Sequence, residues 1–161
     1  GTATFLKLAE RHGLPRVVAI QNEYSLLHRL FDTDLAELCH HEDVGLLAYS
    51  PLAAGFLTGK YQRGARPAGT RATMNDTLSG RINRFSEPAV DAYLALAREH
   101  GLDPAQMALA FAASRPFMGS VLLGATSMEQ LDTDLAAAAL TLSQEVLAGI
   151  AAVRREFPNT M

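Results

Sequence analysis

The sequence is poor in cysteine, in long apolar runs and in net positive charge, and it has no Met at its start. A single cysteine, Cys39, excludes an internal disulfide and a thiolate-rich metal site. It fits a reducing compartment, for which the cytoplasm is the default expectation. A membrane-spanning helix needs roughly 18 or more consecutive apolar residues. The apolar runs here are short and broken by Gly, Pro or charge, so the chain is expected neither to span nor to be anchored in a membrane. With 14 Lys and Arg against 17 Asp and Glu, the net charge is −3. General nucleic-acid binding is not expected, because neutralising phosphates requires a basic face. The chain opens on Gly-Thr-Ala with no secretory leader, the start expected of a processed chain or of one cut from something longer.

What is present reads as globular rather than disordered: 48% of the 161 residues are apolar and 19% charged. The charge is unevenly placed. Between positions 60 and 84 stand six cations, Lys60, Arg63, Arg66, Arg71, Arg81 and Arg84, against one acid, Asp76, which leaves 8 cations against 16 acids elsewhere. A cationic segment is embedded in an acidic body.

Three short apolar runs, residues 17–20, 45–49 and 121–123, suit strands buried on both faces. Helices are expected between and after them. One ends at His12 with Gly13 and Leu14 as its left-handed cap, and a second opens at Thr33 or Asp34, with Glu37 completing a capping box. A third opens at Ser86 and closes at His100-Gly101-Leu102, and a fourth is capped by Asp103 with Pro104 at its first position. The last two are capped by Ser127 and Ser143. Residues 52–85 are expected to be irregular, and connections of that length are usually functional or disordered. Alternation of buried strands with helices predicts an α/β fold with a parallel sheet and no internal domain boundary.

Each strand ends in small or polar residues: Gln21 and Asn22; Tyr49, Ser50 and Pro51; Gly124, Ala125 and Thr126. In parallel α/β folds these carboxyl ends converge on the ligand-binding face. Taken singly, each cluster is also explained by loop hydrogen bonding or helix capping. After the last strand, Gly124 lets backbone approach an anion, while Thr126, Ser127 and the next helix start present donors; Ser127 and Gln130 also form a capping box. The run 55–60 (Gly-Phe-Leu-Thr-Gly-Lys) is not a P-loop. Only three residues separate its glycines, and Tyr61 stands where a magnesium-binding Ser or Thr is required. Lys60 and Arg71 are candidates for a clamp on a phosphate-bearing ligand, the alternative being a solvated cationic loop. His40 and His41 are adjacent and diverge on a helix, so they do not form a metal pair. Cys39 reads as a small buried apolar residue.

Residues 17–27 (Val-Val-Ala-Ile-Gln-Asn-Glu-Tyr-Ser-Leu-Leu), 46–61 (from Leu-Leu-Ala-Tyr-Ser-Pro to Thr-Gly-Lys-Tyr) and 122–131 (Leu-Leu-Gly-Ala-Thr-Ser-Met-Glu-Gln-Leu) resemble the aldo-keto reductases. The likeness is to their bacterial Tas-like branch, related to potassium-channel β subunits, and it covers essentially the whole chain. It implies a (β/α)8 TIM barrel that uses NADP(H), with NAD(H) not excluded, to reduce a small-molecule aldehyde or ketone. Residues 1–161 would be its carboxyl-terminal part: strands six to eight, the long cofactor-binding loop and the last helices. A whole barrel takes about 250 residues.

By the resemblance, Gln21 hydrogen-bonds the nicotinamide carboxamide and Tyr49 stacks on its ring. Ser50, Pro51, Leu52, Ala53 and Ala54 line the pyrophosphate. Lys60 and, with a one-residue difference in loop length, Arg71 contact cofactor phosphates, and Gly124, Thr126 and Gln130 form the adenosine 2′-phosphate site. Thr133 and Asp134 replace the family's Glu-Asn; Asp134 can accept from the adenine amine, but its charge disfavours a nearby 2′-phosphate. The family's Asp-Tyr-Lys-His tetrad belongs to the barrel's first half, and Tyr24 and Tyr61 do not match its acid. No catalytic residue is therefore expected here, and the chain alone is expected to be inactive. Two alternatives stand beside this reading: a non-catalytic nicotinamide-binding sensor or partner-binding subunit, and a half-barrel that self-associates. The sequence does not define an oligomeric state.

Overall fold

A computed structural model describes residues 1–158 and Thr160. Three parallel strands, β1 (Ala19–Glu23), β2 (Gly45–Tyr49) and β3 (Met118–Val121), lie side by side in sequence order. Helix α1 (Thr2–His12) precedes them, and α2 (Leu35–Glu42) connects β1 to β2. Helices α3 (Ser86–Glu99) and α4 (Pro104–Ala113) stand between β2 and β3, and α5 (Met128–Ala136) and α6 (Gln144–Glu156) follow. Among the described residues no single helix is long and apolar enough to cross a membrane.

Local chemistry sets the helix ends. Gly13 and Gly101 adopt left-handed φ of 63° and 65°, and the amides of Leu14 and Leu102 reach back to the carbonyls of Ala9 and Ala97 at 2.9 and 2.8 Å. These are Schellman closures, which a side chain with a Cβ disfavours at the glycine. Asp103, Ser127 and Ser143 cap α4, α5 and α6 by accepting from the amides of Gln106, Gln130 and Val146. Asp34 departs from the expected capping box. Its carboxylate accepts from the adjacent Leu35 amide at 2.6 Å, and Glu37 is turned toward His41 instead.

Two strands are displaced from their apolar runs. The first ladder runs through Gln21, Asn22 and Glu23, paired with Leu47, Ala48 and Tyr49. A polar residue is tolerated there because Gln21 faces an uncovered side of the sheet. The third strand begins at Met118, not Val121. Gly119 and Ser120 are unpromising strand formers, but a Cβ on Gly119 would stand 3.3 Å from the Cα of Gly45. Only glycines allow β2 and β3 to approach this closely, beside the register shift between Leu46 and Leu47. The ladder then extends one bond further, from the Leu122 amide to the Ala48 carbonyl at 2.8 Å.

The sheet has two unlike faces. Leu46 and Ala48 point into the core and are fully buried, whereas Gln21, Tyr49 and Ser120 lie on the exposed face. The core joins Tyr24, Leu26, Leu27 and Phe31 after β1 to Leu57, Val90, Met107, Phe111 and Ile150. Tyr24 stacks near Phe111 at 6.4 Å and meets Phe117 edge-on at 5.4 Å. Cys39 is buried, as a small apolar residue would be.

Candidate functional site

The strand ends assemble one face. Tyr49 closes β2, is 38% exposed and stands in register with Glu23. Gln21 lies two residues before Glu23, so strand alternation puts it on the same uncovered face as Tyr49. Neither side chain is consumed by packing, and an amide and an aromatic ring are presented together to solvent.

Immediately beyond Tyr49 the backbone turns sharply. Ser50, Ala53 and Ala54 have φ of 53°, 49° and 59°, and Gly55 has 88°. Left-handed conformations in residues with a Cβ cost about 1–2 kcal/mol each, and strain of this kind concentrates at ligand sites. The turn is fixed by its own amides: Ala53 donates to the Ser50 carbonyl at 2.8 Å, Gly55 to Leu52 at 2.9 Å, and Leu57 to Leu52 at 3.2 Å. Pro51 and Ala53 are buried, while Ser50, Leu52 and Ala54 keep partial exposure.

Lys60 folds back onto this turn. Its Cε and Nζ lie 2.9 Å from the place a Cβ on Gly55 would occupy, and Nζ is 5.3 Å from the centroid of Tyr61. Gly55 is thus a cradle that any larger residue would fill. The Tyr61 hydroxyl beneath is buried without a hydrogen-bond partner among the described residues. Arg71 begins a short 3-10 turn at Arg71–Thr73 and is exposed, with no side-chain hydrogen bond or ion pair among the described residues.

After β3, Gly124 has open space where a Cβ would point. The Thr126 amide and hydroxyl both donate to the Gln130 side-chain oxygen at 3.1 Å. Gln130 therefore closes a box one residue upstream of the Ser127 cap, and both side chains stay exposed. Asp134 is different, being only 7% exposed. Burial pushes its carboxyl above the usual value, Asp103 adds to the rise, and Lys60 opposes it.

Glu23 is the residue that motif reading passed over. Its Oε1 accepts from Arg81 Nε at 3.0 Å and Nη2 at 2.8 Å, with both side chains nearly buried. An acid at the end of an apolar strand and one cation at the far end of the basic segment were the available signals.

Tyr24 is unsuited to donate a proton to a ligand. The Tyr24 hydroxyl is fully buried and donates to Asp32 at 2.9 Å, and burial raises its pKa well above the usual tyrosine range. A separate cavity of about 350 Å³ opens beside β1, lined by Asn22, Glu23, His28 and Asp34 among others, and contains neither Tyr49 nor Lys60.

The profile described as the Aldo/keto reductase family matches residues 2–155. Protein tas of Escherichia coli is 53% identical over 98% of this chain and 45% of its own length. An aldo-keto reductase of Babesia bovis is 34% identical over 81% of the chain and 48% of its own length. A probable voltage-gated potassium channel subunit beta of Arabidopsis thaliana is 34% identical over 80% and 40%. The chain therefore spans less than half the length of these relatives. A family profile that runs almost end to end over this sheet, turn and loop shows that the chain belongs to the aldo/keto reductase family.

Proposed function

We propose that this chain supplies the nicotinamide-dinucleotide site of an aldo-keto reductase that moves hydride between NADP(H) and an aldehyde or ketone. The observation that carries it is the shared face of Gln21 and Tyr49, continued directly by the strained turn at 50–55 with Lys60 folded into the Gly55 cradle. An aromatic face, a carboxamide and a cation beside a tight backbone turn are the partners a nicotinamide ring and a pyrophosphate require.

The bound cofactor would supply the hydride. The chain's own residues bind and orient it: Tyr49 offers a ring to stack on, and Gln21 a donor and an acceptor for the carboxamide. The turn from Ser50 to Ala54 excludes water along the pyrophosphate, and Lys60 and Arg71 neutralise phosphate charge. Thr126 and Gln130, with Gly124 leaving room, receive the adenosine phosphate. Asp134 contacts the adenosine, and Lys60 offsets part of the charge that disfavours a nearby 2′-phosphate. By the family resemblance the acid that protonates the carbonyl oxygen comes from the other half of the barrel, and the Tyr24 hydroxyl is committed to Asp32. The substrate is a small-molecule carbonyl, and the working compartment is the cytoplasm.

Calorimetric titration with NADP+ and NAD+, together with an NADPH-oxidation assay on a generic aldehyde, tests the proposal. We expect NADP+ to bind, Tyr49→Ala to weaken it about tenfold, corresponding to about 1.4 kcal/mol of lost stacking, and no turnover by the 161-residue chain. Absence of binding refutes the site; turnover refutes the missing acid.

A further inference from the structure

We infer that the Glu23–Arg81 ion pair is a positioning element that pins the cationic loop to the strand end carrying Gln21 and Tyr49, and so sets where Lys60 and Arg71 meet the dinucleotide. This rests on the cofactor reading above. Glu23 stands in register with Tyr49 on the sheet face that bears Gln21. Arg81 reaches it with two nitrogens converging on one oxygen, Oε1, at 3.0 and 2.8 Å. The two side chains are only 13% and 11% exposed, so the pair escapes the screening that makes most surface ion pairs ineffective.

Arg81 is itself held on two further sides. Its Nη1 donates to the Leu78 carbonyl at 3.0 Å, and its own carbonyl accepts from Ser86 Oγ at 2.6 Å, at the start of α3. The guanidinium thus joins the sheet to the end of the loop, and the backbone carbonyl of the same residue ties it to the next helix. By contrast, the hydrogen bonds made by residues 63–77 are local ones within or just beyond that segment, as from Arg66 to the Asp76 carbonyl and from Asn75 Nδ2 to Ser79. Among the described residues, side-chain ties to more distant elements flank this segment, Gln62 to Asp91 at 2.7 Å on one side, and Arg81 to Glu23 and Asn83 Nδ2 to the Thr160 carbonyl at 3.1 Å on the other.

The pair also serves an electrostatic purpose. An unpaired carboxylate next to Tyr49 would repel an anionic cofactor, and Arg81 cancels it. Of the segment's six cations, Arg81 is the one bonded to a carboxylate among the described residues, which separates a positioning cation from those left for phosphate.

The test compares Arg81→Met, Glu23→Gln and the reversed pair Glu23→Arg with Arg81→Glu, all in the 161-residue chain. Amide hydrogen exchange is read at residues 63–80 and in α4 as an internal standard, and NADP+ affinity is read by calorimetry. Each single change is expected to speed exchange in 63–80 about tenfold and to weaken NADP+ about tenfold, leaving α4 unchanged. The reversed pair is expected to recover both, and it decides the matter if a single variant fails to fold. Unchanged loop exchange in the single variants, affinity within about twofold of wild type, or a reversed pair that folds without recovering either readout overturns the assignment. A wild-type chain that holds no NADP+ overturns the cofactor reading and the pair's role with it. Wild-type binding with unaffected variants overturns the pair alone.

Discussion

Gly55→Ala is the most informative single perturbation, because it separates strain from ligand binding. The new Cβ would stand 2.9 Å from both Cε and Nζ of Lys60, so the lysine must leave the turn. The backbone at φ 88° adds a left-handed penalty of about 1–2 kcal/mol in stability. Displacing an ammonium from a phosphate costs about 1.5–3 kcal/mol for a charged hydrogen bond, and solvent exposure of Lys60 places the effect at the lower end, about tenfold in affinity. Lys60→Ala removes the obstructing atoms and the charge together. In that background Gly55→Ala should still lower stability by about 1–2 kcal/mol and cost no further affinity for NADP+. Thermal unfolding and calorimetric titration of the four members of this cycle give both couplings. Equal affinity losses from Gly55→Ala with and without Lys60 would refute the argument that the cradle acts through the lysine.

Asp134→Asn probes the buried carboxyl. Its folded-state pKa is raised above 3.8, so the folded chain holds the proton more tightly than the unfolded one. The stability it contributes is full below pH 3.8 and is lost as pH rises through the folded value. The Asn variant should therefore be more stable than wild type at pH 7 and converge with it in acid, as read by urea unfolding across pH; a wild type that gains on the variant as pH rises would reverse the sign. Gly149→Ala sets two effects in opposition, since the Cβ would approach Leu96 Cδ1 to 2.5 Å. Overpacking of about 1–3 kcal/mol exceeds the helix-propensity gain of about 1 kcal/mol, so net destabilisation is expected in thermal unfolding, relieved by Leu96→Ala.

The order of helices and strands was legible because capping chemistry is local. Gly13, Gly101, Asp103, Ser127 and Ser143 act through residues within a few positions of themselves, and a sequence window contains the whole interaction. Strand limits were less legible because pairing depends on partners elsewhere. Apolar content alone ended β1 at Ile20, yet the ladder continues through Glu23 because Tyr49 and its neighbours supply the opposing edge. Gly119 and Ser120 look like a turn until Gly45 is seen against them.

The candidate site divides along the same line. Tyr49, Ser50 and the segment to Ala54 are contiguous, and their motif survives in one dimension; so does the box of Thr126 with Gln130. What one dimension hides is the difference among like charges. In sequence, Arg71 and Arg81 are equivalent members of a basic run, but Arg81 meets Glu23 across 58 positions while Arg71 stays in solvent. A cation buried against a carboxylate is a poor phosphate ligand, because a new anion must compete with a desolvated partner already in place. An exposed cation on a turn anchored at its far end can reach an anion without first breaking an ion pair. The same composition therefore yields two different roles, and the acid at the end of β1 decides which arginine takes which.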